Sequence, residues 1–91
     1  MKVKNLHSTA DRTPPCPYSS WLDYFMRQRG LSHTPQCSAY GCSHSAEVGA
    51  HVIKAGSSDH SWYIVPLCSG CNMRSGEFEL KSSTPLVPVR P

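Results

Sequence analysis

Four cysteines and one histidine are the residues of this chain best placed by type and spacing to do chemistry. The cysteines come as two close pairs, Cys37-Ser-Ala-Tyr-Gly-Cys42 and Cys68-Ser-Gly-Cys71, with His51 between them. Two pairs of thiolates supply the tetrahedral sulfur set that zinc prefers, and short loops close each pair at little entropic cost. Gly41 and Gly70 provide the turn freedom that tight metal knuckles need. An ion held by Cys37, Cys42, Cys68 and Cys71 has no open position, so a structural Zn2+ here would hold the fold and do no chemistry. Two other arrangements use the same residues: paired disulfides, which a reducing compartment disfavours, or a ligand set in which His44 replaces one cysteine. The fifth cysteine, Cys16, reads as a free thiol packed like a small apolar side chain.

Positioning these residues falls to a small set of elements. Val52 and Ile53 mark a strand over residues 50–55, and residues 61–65 form a second, aromatic and β-branched strand. The Gly56-Ser-Ser-Asp59 turn pairs the two as an antiparallel hairpin. Pro66 ends the second strand, a short helix covers residues 69–74, and residues 78–81 add a brief strand. Upstream, residues 19–30 form the best helix. Ser19 or Ser20 caps it, Trp21, Leu22, Phe25 and Met26 make its apolar stripe, and Gly30 stops it. This helix packs on the cysteine-bearing half; Arg27 and Arg29 on its exposed side could face a phosphate, as could Lys54 and Arg74. Residues 1–18 read as a flexible arm, 19–81 as a single zinc-bound domain, and 82–91 as a Pro-rich tail.

Composition supports a stapled domain. The chain has 91 residues, of which 38% are hydrophobic, enough for one small domain with a thin core. No apolar leader opens the sequence, and no apolar run is long enough to cross a bilayer. A cytoplasmic location follows as the expectation, with thiols kept reduced and metal favoured over disulfides. The net charge is +3, with the excess of Lys and Arg confined to residues 1–30. A modest basic surplus suits contact with phosphates without demanding it.

Within the cysteine frame, Ala50-His51-Val52, a turn, and Tyr63-Ile64-Val65-Pro66-Leu67-Cys68-Ser69-Gly70-Cys71-Asn72 together resemble the HNH family of His-Me finger nucleases. The likeness covers about residues 37–80 and is most specific at Pro66-Leu67-Cys68-Ser69-Gly70-Cys71-Asn72. It implies a small α+β fold: a ββα zinc-stabilised finger (antiparallel hairpin plus short helix) with an N-terminal packing helix. It further implies metal-dependent phosphodiester cleavage of DNA or RNA. His51 would be the general base, Tyr63 would stand where the family places an orienting Asn or His, and Asn72 would help bind a catalytic Mg2+ or Mn2+. Two positions depart from the family pattern. Ala50 occupies the place of an acidic or histidine metal ligand, and Tyr63 replaces the amide or imidazole.

A rival reading uses the same residues. His51 could be a packed histidine, and Trp62 and Tyr63, on opposite faces of a strand, could be one core and one exposed ring. The chain would then be a catalytically inactive zinc module that binds a protein or nucleic-acid partner. An inhibitor or adaptor of the kind phages and mobile elements encode would fit its size. A third reading has the module oligomerise through Trp21 and Phe25.

Overall fold

A computed structural model describes residues 1–6 and 13–89. Asp11 and Arg12 of the arm and Arg90 of the tail, which enter the charge reading, lie outside the described residues. The elements run β1 (Lys2–Asn5), α1 (Trp21–Gln28), β2 (Val48–Lys54), β3 (Tyr63–Leu67), α2 (Ser69–Asn72), β4 (Glu77–Glu79) and β5 (Val87–Pro88). The fold is α+β. Five strands form one sheet in the order β4-β1-β2-β3-β5, and each neighbouring pair is antiparallel. No helix among the described residues is long and apolar enough to cross a membrane.

The central hairpin forms where the sequence places it, with shifted ends. Val48 pairs with Leu67, Ala50 with Val65, His51 with Ile64 and Val52 with Tyr63. The expectation that Pro66 ends β3 is corrected: Pro66 lies inside the strand, opposite Gly49. The hydrogen bonds explain why it is tolerated. Leu67 O accepts from Glu47 N on the β2 side, whereas Pro66 O accepts from Ser38 N on the other side. The missing N–H of Pro66 therefore points away from the β2 ladder, where β5 does not reach, and costs no strand pairing.

The larger correction concerns the two ends of the chain. Lys2–Asn5, read as part of an arm, is an inner strand between β2 and β4, with Val3 opposite both Lys54 and Phe78. Val87–Pro88, read as part of a tail, pairs with Tyr63 and Ile64 at the far edge. β1 was hidden by its polarity, and β5 by its shortness and its prolines. β1 buries only Val3 and Asn5, and its lysines stay in water. Cys16 is exposed, not packed.

The sheet separates two apolar layers. On one face Val3, Ala50, Val52, Val65, Leu67 and Phe78 pack with the cysteines. On the other, Tyr24 and Phe25 of α1 pack on Ile64 and Val87, with Trp21 beside them. The helix starts where Ser20 accepts from Asp23 N at 2.9 Å, and an Asp23–Arg27 ion pair at 3.2 Å braces its exposed side. Gly30, with φ +65°, turns the chain out of the helix. The backbone of α1 lies directly on β2. A Cβ built on Gly49 would stand 2.5 Å from Leu22 N and 2.6 Å from Trp21 O, so only glycine fits. Phe25 is fully buried in this contact and therefore unavailable for association through a Trp21–Phe25 surface.

Candidate metal centre

The sulfur atoms of Cys37, Cys42, Cys68 and Cys71 all lie within 4.8 Å of one another. Zn–S bonds of about 2.3 Å in a tetrahedron give sulfur–sulfur edges of about 3.8 Å. Cys42 Sγ and Cys68 Sγ stand at that separation, 3.8 Å. The donor set and its dimensions fit, and these four residues could hold a metal ion such as zinc. His44 is exposed and is not part of the group. All four thiols are free, so the paired disulfides are not formed.

Each knuckle is shaped by backbone hydrogen bonds. In the first, Cys37 N donates to His44 O at 2.8 Å and Cys42 N to Ala39 O at 3.0 Å, with Gly41 in the left-handed region at φ +83°. In the second, Cys68 caps α2. Its Sγ accepts from Cys71 N at 3.5 Å, and its carbonyl accepts from Asn72 N at 3.0 Å. The bond from Cys71 N lowers the Cys68 thiol pKa, while burial raises those of Cys71 and Cys37. Deprotonating the buried thiols calls for a cation among them, as a metal-thiolate centre supplies.

Three supporting residues were missed in the sequence. Asn5 Nδ2 on β1 donates to Cys71 O at 3.0 Å and to Arg74 O at 3.2 Å, tying the second knuckle to the sheet. Lys81 Nζ donates to Cys37 O at 2.7 Å, bracing the first. Glu47 Oε1 accepts from Ser69 N at 2.8 Å, and this bond lowers the carboxyl's pKa. The alternation in Lys2-Val3-Lys4-Asn5 was the one local signal for Asn5. Nothing local marks Lys81, whose partners are distant in sequence.

Two of the residues expected to form a catalytic centre, His51 and Tyr63, lie on opposite faces of the sheet. His51 is paired with Ile64 on the α1 face. It is 6% exposed and lies edge-to-face against Trp21 at 4.7 Å and Trp62 at 6.1 Å between ring centroids. Tyr63, paired with Val52, lies on the opposite, cysteine-bearing face. Its hydroxyl donates to Asp59 Oδ2 at 2.6 Å, and Lys54 Nζ meets the same oxygen at 3.2 Å. Tyr63 thus locks the hairpin turn. The bond from Tyr63 also holds the Asp59 carboxyl well below the usual carboxylate range, with Ser61 and Lys54 adding to the effect. Asn72 is half-buried at the end of α2, beside Cys71. Ala50 is buried among Val52, Val65 and Leu67. Among the described residues, no other group of three His, Cys, Asp or Glu side chains is close enough to hold an ion.

No known family model, curated protein or solved structure matches this chain. The likeness to HNH nucleases therefore rests on the residues alone.

Proposed function

We propose that this chain is a zinc-stapled docking module, derived in form from a ββα finger and without phosphodiesterase activity. The observation that carries this reading is the burial of His51 between Trp21 and Trp62, on the sheet face opposite Tyr63. A general base must reach a water that is itself beside the scissile phosphate. An imidazole enclosed by two indoles has no such access. Ala50 offers no ligand for a catalytic ion, and Tyr63 is committed to Asp59. Asn72 alone is a poor site for Mg2+, which prefers charged oxygens.

The order β2, β3, α2 within two cysteine knuckles supports an HNH-like ancestry for the scaffold. Structural Zn2+ at Cys37, Cys42, Cys68 and Cys71 would supply the cohesion that the thin core lacks. Two features favour a protein over a nucleic acid as the partner. Tyr40 and Met73, one beside each knuckle, are 71% and 78% exposed and offer apolar side chains to a partner. Three of the four cations read as phosphate contacts are already engaged: Arg27 by Asp23, Lys54 by Asp59, and Arg74 over the Phe78 ring.

Calorimetric titration of Mn2+ into the zinc-loaded protein tests the reading. No saturable heat is expected. A stoichiometric Mn2+ site lost in Asn72→Ala would contradict it and restore the nuclease reading.

A further inference from the structure

The described surface carries a groove of about 360 Å³ beside the first knuckle. It lies between the end of α1, the loop leading to the first knuckle, and the segment after Leu80. Its apolar walls are Phe25, Leu31, Pro35, Pro66 and Pro85. Two cations line it, Arg29 and Lys81, and no acidic side chain does. Gln36, Ser38, Ser83 and Thr84 complete the lining.

The cations differ in their commitments. Lys81 Nζ gives donors to Gln36 Oε1 at 3.2 Å and Cys37 O at 2.7 Å, which fixes it in place with one donor left over. Arg29 is exposed and forms no ion pair with any described residue, unlike Arg27 one position before Gln28. Its planar fork is suited to a carboxylate. The groove is also tied to the metal centre. Lys81 grips the carbonyl of Cys37, and Ser38 N donates to Pro66 O at 2.9 Å, joining the floor to the first knuckle.

We infer that this groove binds an acidic peptide segment of a partner protein, seating an apolar side chain on the prolines and Leu31 and a neighbouring carboxylate on Arg29 and Lys81. The inference rests on the docking-module reading and names the class of partner. Charge complementarity selects the occupant: two cations facing an apolar floor match one or two carboxylates beside an apolar residue. A nucleic acid needs a longer track of cations and exposed rings for stacking. This groove has two cations, and its only aromatic residue, Phe25, is buried. The volume sits at the lower end for small-ligand sites, which suits a short segment.

The test is a 15N NMR titration of the zinc-loaded chain with three probes: acetyl-Leu-Asp-Glu-amide, its neutral counterpart acetyl-Leu-Asn-Gln-amide, and oligouridine. The acidic peptide is expected to shift the amides of Leu31, Gln36, Ser38, Lys81 and Thr84. The neutral peptide should bind at least about fivefold more weakly, and Arg29→Gln should lower affinity for the acidic peptide by a similar factor. Arg29 is exposed, so a zinc-loaded Arg29→Gln chain with an unchanged amide spectrum away from the groove shows the fold is intact. Equal binding of both peptides, indifference to Arg29→Gln, absence of shifts in the groove, or stronger shifts with oligouridine would each overturn the inference. Peptide shifts at Tyr40 and Met73 instead would also overturn it, yet leave a docking module standing. A catalytic Mn2+ site would overturn the module reading whatever the groove does.

Discussion

The two faces of the central hairpin are held by different physics. On the cysteine face the buried side chains are small, chiefly Cys, Ala and Val, and three of them converge with the half-buried Cys42. On the helix face the cohesion comes from rings. Trp21 and Tyr24 meet edge-to-face at 5.3 Å, Tyr18 and Tyr24 at 5.1 Å, and Trp21 and His51 at 4.7 Å. Small side chains bury little area each, so on the first face an ion among the four cysteines would supply what the second obtains by packing. The hairpin also separates the residues a nuclease would combine: His51 belongs to the ring-packed face, Tyr63 and the cysteines to the other. One backbone carries the residues that resemble an HNH finger and keeps His51 and Tyr63 on its two opposite sides.

Breaking the cysteine face should have the largest effect. Structural zinc sites contribute apparent binding energies on the order of 10 kcal/mol, comparable with the whole stability of a small domain. Cys71→Ser, or strong chelation of the wild type, is expected to abolish the cooperative thermal transition in circular dichroism. A chelated chain that melts cooperatively at an unchanged Tm would show that the face does not depend on metal.

Breaking the helix face should cost less and leave the metal in place. Phe25→Ala removes a fully buried ring and is expected to destabilise by about 3–5 kcal/mol. At saturating zinc the variant should still bind one ion, measured by mass spectrometry under native conditions. Loss of zinc stoichiometry would mean that the two faces are one cooperative unit at the level of the site.

Asn5 sharpens the comparison, because it joins the sheet to the second knuckle. Asn5→Ala removes two hydrogen bonds to knuckle carbonyls and should cost about 1–3 kcal/mol. Unlike Phe25→Ala, it should also weaken zinc in competition with a chromogenic chelator, by roughly tenfold. An unaltered zinc affinity would reduce Asn5 to a sheet residue.

The smallest effect lies in the hairpin turn. The folded Asp59 carboxyl titrates below its unfolded value of about 3.9. Its contribution is therefore fully present above that pH and fades as pH falls toward the lower folded value. Asp59→Asn should lower Tm by about 4 °C at neutral pH, and the gap to wild type should close below about pH 4. A gap independent of pH would assign the loss to packing.

The features legible in the sequence were those encoded locally. The cysteine spacing announced the cluster of four sulfurs, and the Ser20 cap, the apolar stripe and Gly30 announced α1. Alternation in the hairpin and the Gly56 turn announced β2 and β3. The features that were not legible depend on partners far along the chain. β1 is half lysine and earns its place only by pairing with β2 and β4. β5 has two residues, one of them proline, and is fixed by β3 and by the Tyr24 hydroxyl donating to Pro88 O at 3.0 Å. Pro66 looked like a terminator because its neighbours in space, and not in sequence, decide which hydrogen bond it forgoes. His51 was legible as a strand residue between two cysteine pairs. Its enclosure was not, because one of its two indoles comes from α1, thirty residues upstream.

The most direct test of the central claim is a cleavage assay on supercoiled plasmid and single-stranded DNA and RNA, with zinc-loaded protein and added Mg2+ or Mn2+. The account predicts no cleavage above background, and no difference between wild type and His51→Ala. Metal-dependent cleavage that His51→Ala abolishes, in a variant that keeps its zinc and its fold, would contradict it.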